Sequence, residues 1–346
     1  VYSPAEILHS IWGSSLFWII VIFAYYVIAT MLPIDKIIGK IYPLFAFSLL
    51  FMAGALMVML FVKMPQLPEL WTHFYNMGAE AEPEKWTDQI FPCLFITIAC
   101  GAISGFHATQ SPLMARCVKS EHMGRPIFYG AMITEGVVAL IWATVSSWFF
   151  YGSPAPGYEL IAAVNTGFST SAPAVVNIVC NDWLGVAGAI LALLGVVAAP
   201  ITSGDTAFRS ARLIIGEWLH IDQRPIIKRL AICLPLFISS IAMLVWQIEN
   251  PDGFNIIWQY FGWANQTLSV FTLWTLTVYL VRQKKPYIIT LIPALLMTTV
   301  CTTFLFVSKQ AFHLPENIGY LLGILCLVVA LVWFIVWYRK EKSKLV

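Results

Sequence analysis

The side chains of this chain that could do chemistry lie inside or beside long apolar runs. Glu135 lies within the apolar run 127–150, and His107 follows a run of small residues that starts at Gly101. An acidic residue at the centre of a bilayer costs about 2.5–3.5 kcal/mol on insertion scales, so Glu135 needs a compensating role. Glu135 could carry a coupling proton, pair with a bound cation, or make a structural hydrogen bond to a neighbouring helix. His107 could handle a proton or contact a substrate, or it could be a buried histidine with one hydrogen bond.

The segment that starts at Gly101 has the features of a helix that breaks and restarts. Gly101 and Gly105 are four residues apart, a spacing that lets helices approach closely, and the residues after Gly105 are polar. Ser111 and Pro112 are typical of the N-cap and first turn of a new helix. The same residues could instead form an ordinary capped end of a span. The candidate substrate- or ion-binding residues of this segment are Ser104, Gly105, His107, Thr109, Gln110 and Ser111.

A second segment with these features begins at Pro200. Pro200 removes an intrahelical hydrogen bond, and Gly204 permits unusual backbone angles. Carbonyl groups freed in this way, together with the hydroxyls of Thr202 and Ser203, could coordinate a cation or a polar substrate if they line a cavity. Asp205 could join them, or it could be the N-cap of the helix that follows.

Two consecutive amides, Asn265 and Gln266, stand near the start of the apolar run 261–281. Buried amide groups need hydrogen-bond partners because the surrounding lipid supplies none. Asn265 and Gln266 could therefore bind a substrate, or they could bridge neighbouring helices.

The cysteines and the known catalytic motifs give no sign of a cofactor. The seven cysteines include no C-x-x-C pair, and most lie in apolar runs, so they are interpreted as small buried hydrophobic residues. The sequence contains no phosphate-binding loop, no H-E-x-x-H and no G-x-S-x-G. We therefore predict no cofactor, no metal site and no enzymatic activity.

The composition indicates what class of protein holds these groups. Of the 346 residues, 59% are hydrophobic and 11% are charged, and the mean hydropathy is +0.79. A soluble domain is about 45–50% apolar and about 25% charged, so a water-soluble globular protein and a disordered chain are both excluded. The 20 lysines and arginines are too few and too dispersed for a nucleic-acid-binding surface.

Nine segments are long and apolar enough to cross a membrane, which takes about 20 mostly apolar residues. The predicted fold class is therefore all-α, a polytopic transmembrane helical bundle that forms a single domain over residues 1–346. The nine predicted spans are Ile11–Leu32, Ile41–Val62, Ile90–Ala108, Ile127–Phe150, Leu184–Thr202, Leu230–Trp246, Phe261–Val281, Tyr287–Val307 and Ile318–Trp337.

The basic residues predict the orientation of these spans. Nine spans place alternate loops on opposite sides, and one set of loops carries 17 of the 20 lysines and arginines. By the positive-inside rule this set is cytoplasmic, so Val1 lies outside and the C-terminus inside. The cytoplasmic set consists of loops 33–40, 109–126, 203–229 and 282–286 and the tail 339–346.

Two segments outside the predicted spans differ in composition from ordinary polar loops. Residues 207–219 place Ala211, Ile214 and Trp218 on one helical face, which predicts an amphipathic helix on the cytoplasmic interface. Residues 162–180 lack lysine and arginine and are half apolar. They could form a re-entrant segment or lie on the outer surface.

Several long motifs of the chain resemble those of one family. The runs 101–116 and 128–136, which contain His107 and Glu135, are similar to the signature of the carbon starvation protein A family of bacterial inner-membrane transporters. The similarity extends over essentially all 346 residues. Family members begin with further spans, so we expect the N-terminal part to be missing here. The other similar runs are 32–43, 201–212 and 261–266.

The resemblance implies secondary transport across the bacterial plasma membrane. Members of this family are associated with the uptake of peptides and pyruvate during nutrient limitation, with proton coupling. The family is grouped with discontinuous-helix, inverted-repeat (LeuT-like) transporters, in which broken helices meet at a site near the bilayer midplane. No site residue is carried over from the family.

We therefore predict a membrane transporter that imports pyruvate, another small carboxylate or short peptides. Glu135 or His107 would carry the coupling proton, and the N-terminus of a half-helix would meet the substrate carboxylate. A sodium-coupled symporter, a channel for polar solutes, a membrane-embedded enzyme and a sensory protein are the alternatives. The sequence leaves the oligomeric state open.

Overall fold

The computed structural model describes residues 1–31, 34–67, 69, 71, 90–152, 172–250, 253–309 and 311–345. All regular secondary structure in these ranges is helical, which confirms the prediction of a helical membrane protein. The α-helices are α1 (Tyr2–Ile11), α2 (Ser15–Met31), α3 (Ile34–Lys63), α4 (Phe95–Ala102), α5 (Phe106–Ala115), α6 (Gly130–Tyr151), α7 (Ala172–Trp218), α8 (Ile226–Glu249), α9 (Gly253–Arg282), α10 (Ile288–Val307) and α11 (Glu316–Leu345).

Six of the described helical stretches are long and apolar enough to cross a membrane. Many of their large apolar side chains are exposed, as expected for helices whose outer faces contact lipid rather than water. The predicted total of nine spans stays a prediction, because α2, α4 with α5, and α9 are not among the six. The six stretches are Pro43–Lys63, Glu121–Tyr151, Gly188–Trp218, Ile226–Glu249, Ile288–Val307 and Glu316–Ser343.

The first of two compact units consists of Val1–Thr72 and Val137–Trp246. Its apolar core lies where α3 and α6 pack beside α7. Leu56, Val145 and Val179 are fully buried there. α7 is much longer than a single span requires. It contacts α1, α2 and α3 along its length.

The second compact unit consists of His73–Gly136 and Gln247–Val346. In this unit α10 packs between α9 and α11, and its residues Met297 and Val300 are buried. The same cluster includes Ile96, so α4 is attached to the core of this unit. α4 ends just before the polar residues that follow Gly105, so its attachment to the core fixes where that polar segment begins.

The helix break predicted after Pro200 is wrong, because α7 is helical from residue 186 through Pro200 and Gly204 to Trp218. The hydroxyl of Thr202 donates to Ala199 O at 2.9 Å and that of Thr206 donates to Thr202 O at 2.7 Å. Pro200 cannot donate to Val196 O, but the loss of this one hydrogen bond does not end the helix here.

The departure from helical geometry in α7 lies earlier, at Gly185, with φ 65° and ψ 179°. A left-handed φ of this kind is easily adopted by glycine. The residues before it, Ala172–Leu184, form a helical segment that includes the last part of the predicted re-entrant or surface segment 162–180. The earlier part of that segment lies outside the described residues.

The predicted interfacial helix 207–219 is helical as far as Trp218, but it continues α7 and does not start afresh. Its apolar residues Ile214 and Trp218 are exposed, whereas Arg209 and Arg212 are buried. Its placement at a membrane interface stays a prediction.

Candidate functional site

The polar segment after Gly101 contains a break between two helices. Helix α4 ends at Ala102 and α5 begins at Phe106. The predicted restart, with Ser111 as the N-cap, is therefore six residues too late, because the N-cap is Gly105 and Pro112 lies inside α5. The physical reason is that α5 receives its N-terminal partner from a residue that is distant in sequence.

That partner is Asn265, which comes from α9. The backbone N–H of Phe106 donates to Asn265 Oδ1 at 3.0 Å, and the Ser104 hydroxyl donates to the same oxygen at 3.2 Å. The Phe106 N–H also lies 3.2 Å from Ser104 Oγ. An amide oxygen thus satisfies the N–H groups that a helix start leaves unpaired. Asn265 therefore bridges two helices, and its contact with a substrate stays a prediction.

The break lies directly against α9. A Cβ atom on Gly105 would be 2.7 Å from Leu268 Cβ and 3.0 Å from Ser269 N, and it would overlap Asn265 O. Gln266 is fully buried and donates from Nε2 to Ile96 O at 3.4 Å. The contacts on both sides of the break therefore hold α9 close to α4 and α5.

His107 and Glu135, which the sequence places 28 residues apart, meet beside this break. His107 Nδ1 lies 2.9 Å from Ser104 O, and His107 Nε2 lies 3.7 Å from Glu135 Oε2. Their side chains are 37% and 45% exposed. At 3.7 Å the two atoms lie just beyond direct hydrogen-bond distance, so proton exchange between them requires a small approach of the side chains or one bridging water, and both groups are open enough to allow this.

The environment of Glu135 differs from the expectation. The sequence suggested that Ala131 and Ala139, one turn to either side of Glu135, form a face packed against protein. Both alanines are exposed, so that expectation is wrong. Hydropathy predicted the helix itself, but an α-helix that is apolar on all sides gives no signal for which face is packed.

The remaining candidates of this segment lie along α5. The Thr109 hydroxyl donates to Phe106 O at 3.0 Å within the first turn. Gln110 and Ser111 are half-buried in the next turn. A cavity of about 90 Å³ in the same unit lies between residues 93–97 and the start of α9. Its lining contains none of the predicted site residues.

Asp205 belongs to the first unit, and its predicted role as an N-cap is wrong because it lies inside α7. Asp205 and Arg209, one turn apart, form an ion pair with distances of 3.0 and 3.2 Å from Arg209 Nη2 to the two carboxylate oxygens. Their side chains are 1% and 5% exposed. Ser203 is exposed, and Thr202 bonds within its own helix. Binding of a substrate or cation by these residues stays a prediction.

Arg209 is one of three arginines that bind the C-terminal carbonyl groups of α2. These carbonyl groups have no partner within their own helix and carry its partial negative charge, so guanidinium groups stabilise them. The sequence alone did not predict this arrangement, although the three-residue spacing of Arg209 and Arg212 places both on one helical face. The contacts are Arg209 Nη2 to Ala29 O at 3.0 Å, Arg212 Nη1 to Thr30 O at 3.0 Å and Arg229 Nη1 to Met31 O at 3.2 Å.

Replacing Arg209 by methionine is expected to destabilise the protein by about 3–5 kcal/mol, because it removes the guanidinium group that pairs with the buried Asp205 carboxylate. The double variant with Asp205→Asn should be more stable than Arg209→Met alone. As a control, Arg282→Met removes an ion pair whose arginine is 57% exposed, and it should lower stability by about 1 kcal/mol or less. Apparent unfolding temperatures of the purified variants test this. Equal losses for Arg209→Met and Arg282→Met would contradict the prediction.

Comparison with known proteins places these features in a family. The model of the carbon starvation protein CstA family matches residues 3–154 and 157–304. An uncharacterised membrane protein of Haemophilus influenzae is 48% identical over 157 residues, which make up 42% of this chain and 42% of that protein. No solved structure matches the chain.

Two further relatives carry functional names. The peptide transporter CstA of Bacillus subtilis is 28% identical over 328 residues, which cover 84% of this chain and 54% of that protein. The pyruvate/proton symporter BtsT of Escherichia coli is 41% identical over 75 residues, which cover 21% of this chain and 10% of that protein. The chain spans about half the length of the curated peptide transporter that it matches. Since the family model covers most of the chain and the described helices include six candidate spans, the chain is a multi-pass membrane protein that belongs to the carbon starvation protein CstA family.

Proposed function

We propose that this chain forms part of a secondary active transporter that imports pyruvate, or another small carboxylate, or short peptides, together with protons. The observation that carries the proposal is the His107–Glu135 pair, which lies 3.7 Å apart beside a break between two helices. The names of the two relatives support both substrate classes. In this proposal the protein lies in the bacterial inner membrane, with Val1 outside and the C-terminus inside, and acts in the response to carbon starvation.

The helix break supports a transport role on physical grounds. Non-helical backbone is tolerated at membrane depth where it is enclosed by protein or lines an aqueous path, and discontinuous helices form the substrate sites of many secondary transporters. We propose the nine-span topology and the inverted-repeat, LeuT-like architecture on this basis. Alternating access would then expose the break first to one side of the membrane and then to the other.

We propose that polar side chains of α5, and not the N–H groups at its N-terminus, make the first contact with the substrate carboxylate. The first N–H groups of α5 already have acceptors: Phe106 N–H donates to Asn265 Oδ1, and the N–H of His107 donates to Ser104 O at 3.2 Å. A substrate carboxylate would have to displace these acceptors. Half-buried polar side chains of α5, Gln110 and Ser111 among them, are therefore the better candidates for the first contact.

Uptake into membrane vesicles that contain the protein tests the proposal. With an imposed inward proton gradient, we expect labelled pyruvate or a labelled dipeptide to accumulate above its external concentration, and a protonophore to abolish the accumulation. Comparing the two labels in the same vesicles identifies the substrate class. Accumulation that requires sodium would favour the sodium-coupled symporter, and equilibration without accumulation would favour a channel.

A further inference from the structure

The orientation of the His107 ring is fixed through its Nδ1 atom. Nδ1 lies 2.9 Å from the carbonyl oxygen of Ser104. A carbonyl oxygen can only accept a hydrogen bond, so Nδ1 carries the hydrogen in the neutral ring. The second ring nitrogen, Nε2, is then the atom that gains and loses a proton, and it faces Glu135 Oε2 at 3.7 Å.

The short segment that contains the Ser104 carbonyl is held by α9. The hydroxyl of Ser104 and the backbone N–H of Phe106 both donate to Asn265 Oδ1, at 3.2 and 3.0 Å. These two donors flank the Ser104 carbonyl along the chain. One amide oxygen on α9 therefore fixes the short non-helical segment whose carbonyl selects the tautomer of His107.

The contact between the break and α9 leaves little room for adjustment. A Cβ atom on Gly105 would be 2.7 Å from Leu268 Cβ and would overlap the carbonyl oxygen of Asn265. The absence of that Cβ lets α9 come close enough for the Asn265 side chain to reach Ser104. A displacement of α9 would break the Asn265 contacts that hold the segment carrying the Ser104 carbonyl.

We propose that Asn265 is a positioning residue that fixes His107 in the Nδ1–H tautomer, so that the coupling proton is exchanged at Nε2 with Glu135. This proposal rests on the proposed function of the His107–Glu135 pair. Asn265 does not carry the proton itself; it links the position of α9 to the orientation of the group that does. Movement of α9 during transport would thereby be coupled to proton uptake and release.

The tautomer of His107 is a readout that does not depend on transport activity. Nitrogen-15 NMR of the full chain, labelled at histidine and reconstituted in lipid, gives the tautomer, and the His107→Gln spectrum identifies the His107 signals. We expect the Nδ1–H form in the native protein, and a mixture of both forms in Asn265→Ala. Asn265→Asp keeps an acceptor oxygen and should retain the Nδ1–H form. Asn181→Ala is the matched control, because Asn181 is an exposed amide that bonds within α7.

Transport by the same variants gives the second readout. We expect Asn265→Ala to lower gradient-driven accumulation by about tenfold, the effect of losing one oriented hydrogen bond, and to lower substrate exchange at equal pH by a clearly smaller factor. Asn265→Asp should restore most of the accumulation. An unchanged tautomer in Asn265→Ala, an equal loss of exchange and accumulation, or a change confined to substrate affinity would overturn the proposal.

The same variants distinguish a failure of the proposed proton-carrier function from a failure of the proposed positioning role of Asn265. If Glu135→Gln retains proton-driven accumulation while Asn265→Ala still shifts the tautomer, the proton-carrier function fails and the positioning of His107 by Asn265 stands. If Glu135→Gln abolishes accumulation and Asn265→Ala leaves the tautomer unchanged, the carrier function stands and the positioning role is wrong.

Discussion

In the Glu135→Gln variant, we expect accumulation driven by a proton gradient to fall by about 100-fold or more, the scale on which a positioned proton-transfer group contributes. Glutamine has nearly the same shape as glutamate and can still hydrogen-bond to His107, but its amide cannot take up a proton at any pH of interest. The change therefore removes proton exchange with His107 Nε2, 3.7 Å away, and preserves the packing of α6. Uptake of labelled substrate into vesicles with an imposed pH gradient measures the loss.

The matched control is Glu121→Gln. Glu121 is an exposed carboxylate in the turn Glu121–Met123, in the same compact unit as Glu135. Its loss should leave accumulation near the native level. Substrate exchange at equal pH should persist in Glu135→Gln, because exchange needs binding and alternating access but no net proton movement. Proton-driven accumulation that survives in Glu135→Gln would show that Glu135 is not the carrier.

The helix break shows what local sequence can and cannot predict. Gly101 and Gly105 correctly indicated that the third predicted span does not continue as one helix. The restart was placed at Ser111 because the Ser-Pro pair has the local chemistry of a helix start. The actual cap, Asn265, is 161 residues away from Ser104 in the chain. Capping from another helix depends on tertiary contacts, and single-sequence patterns do not contain them.

In the segment after Pro200, the sequence predicted a helix break that the structure does not contain. Proline and glycine together indicated a break, yet α7 continues through them. The hydroxyl of Tyr26 donates to Pro200 O at 3.1 Å, and Gly204 lies against the ring of the same tyrosine. The small residue there makes room for an aromatic side chain from α2, a packing role that local propensity does not distinguish from helix breaking.

The pairing of His107 with Glu135 was only half predictable. Hydropathy identified Glu135 as an acid inside a span, and residue type identified His107 as a proton-handling candidate. Their proximity depends on the path of residues 116–129 between α5 and α6, which includes a short 3-10 helix and a π-helical turn that the sequence does not specify. The sequence placed Asp205 at a binding site or a helix start and Arg209 in the predicted interfacial helix 207–219, because charged residues are seldom fully buried unless they are paired.

Gly105→Ala is expected to destabilise the second unit by about 1–3 kcal/mol, the usual effect of adding a methyl group to a filled space, and to abolish transport. The backbone at Gly105, with φ −64° and ψ −19°, suits any residue, so the loss of stability would come from steric overlap alone. The methyl group would be 3.0 Å from the backbone nitrogen of Ser269 and would overlap Asn265 O. Backbone atoms cannot rotate aside as a side chain can, so α9 would have to move away from the break.

Gly124→Ala is the control for this steric argument. Gly124 has a similar backbone conformation, with φ −59° and ψ −46°, and lies in the same compact unit. A Cβ atom there would meet nothing within 4 Å, so alanine should raise stability by about 0.4–1 kcal/mol through the unfolded state. Apparent unfolding temperatures of the two variants should therefore move in opposite directions from the native value. If Gly105→Ala unfolds at or above the native temperature and still accumulates substrate, the close approach of α9 to the helix break is not needed for transport.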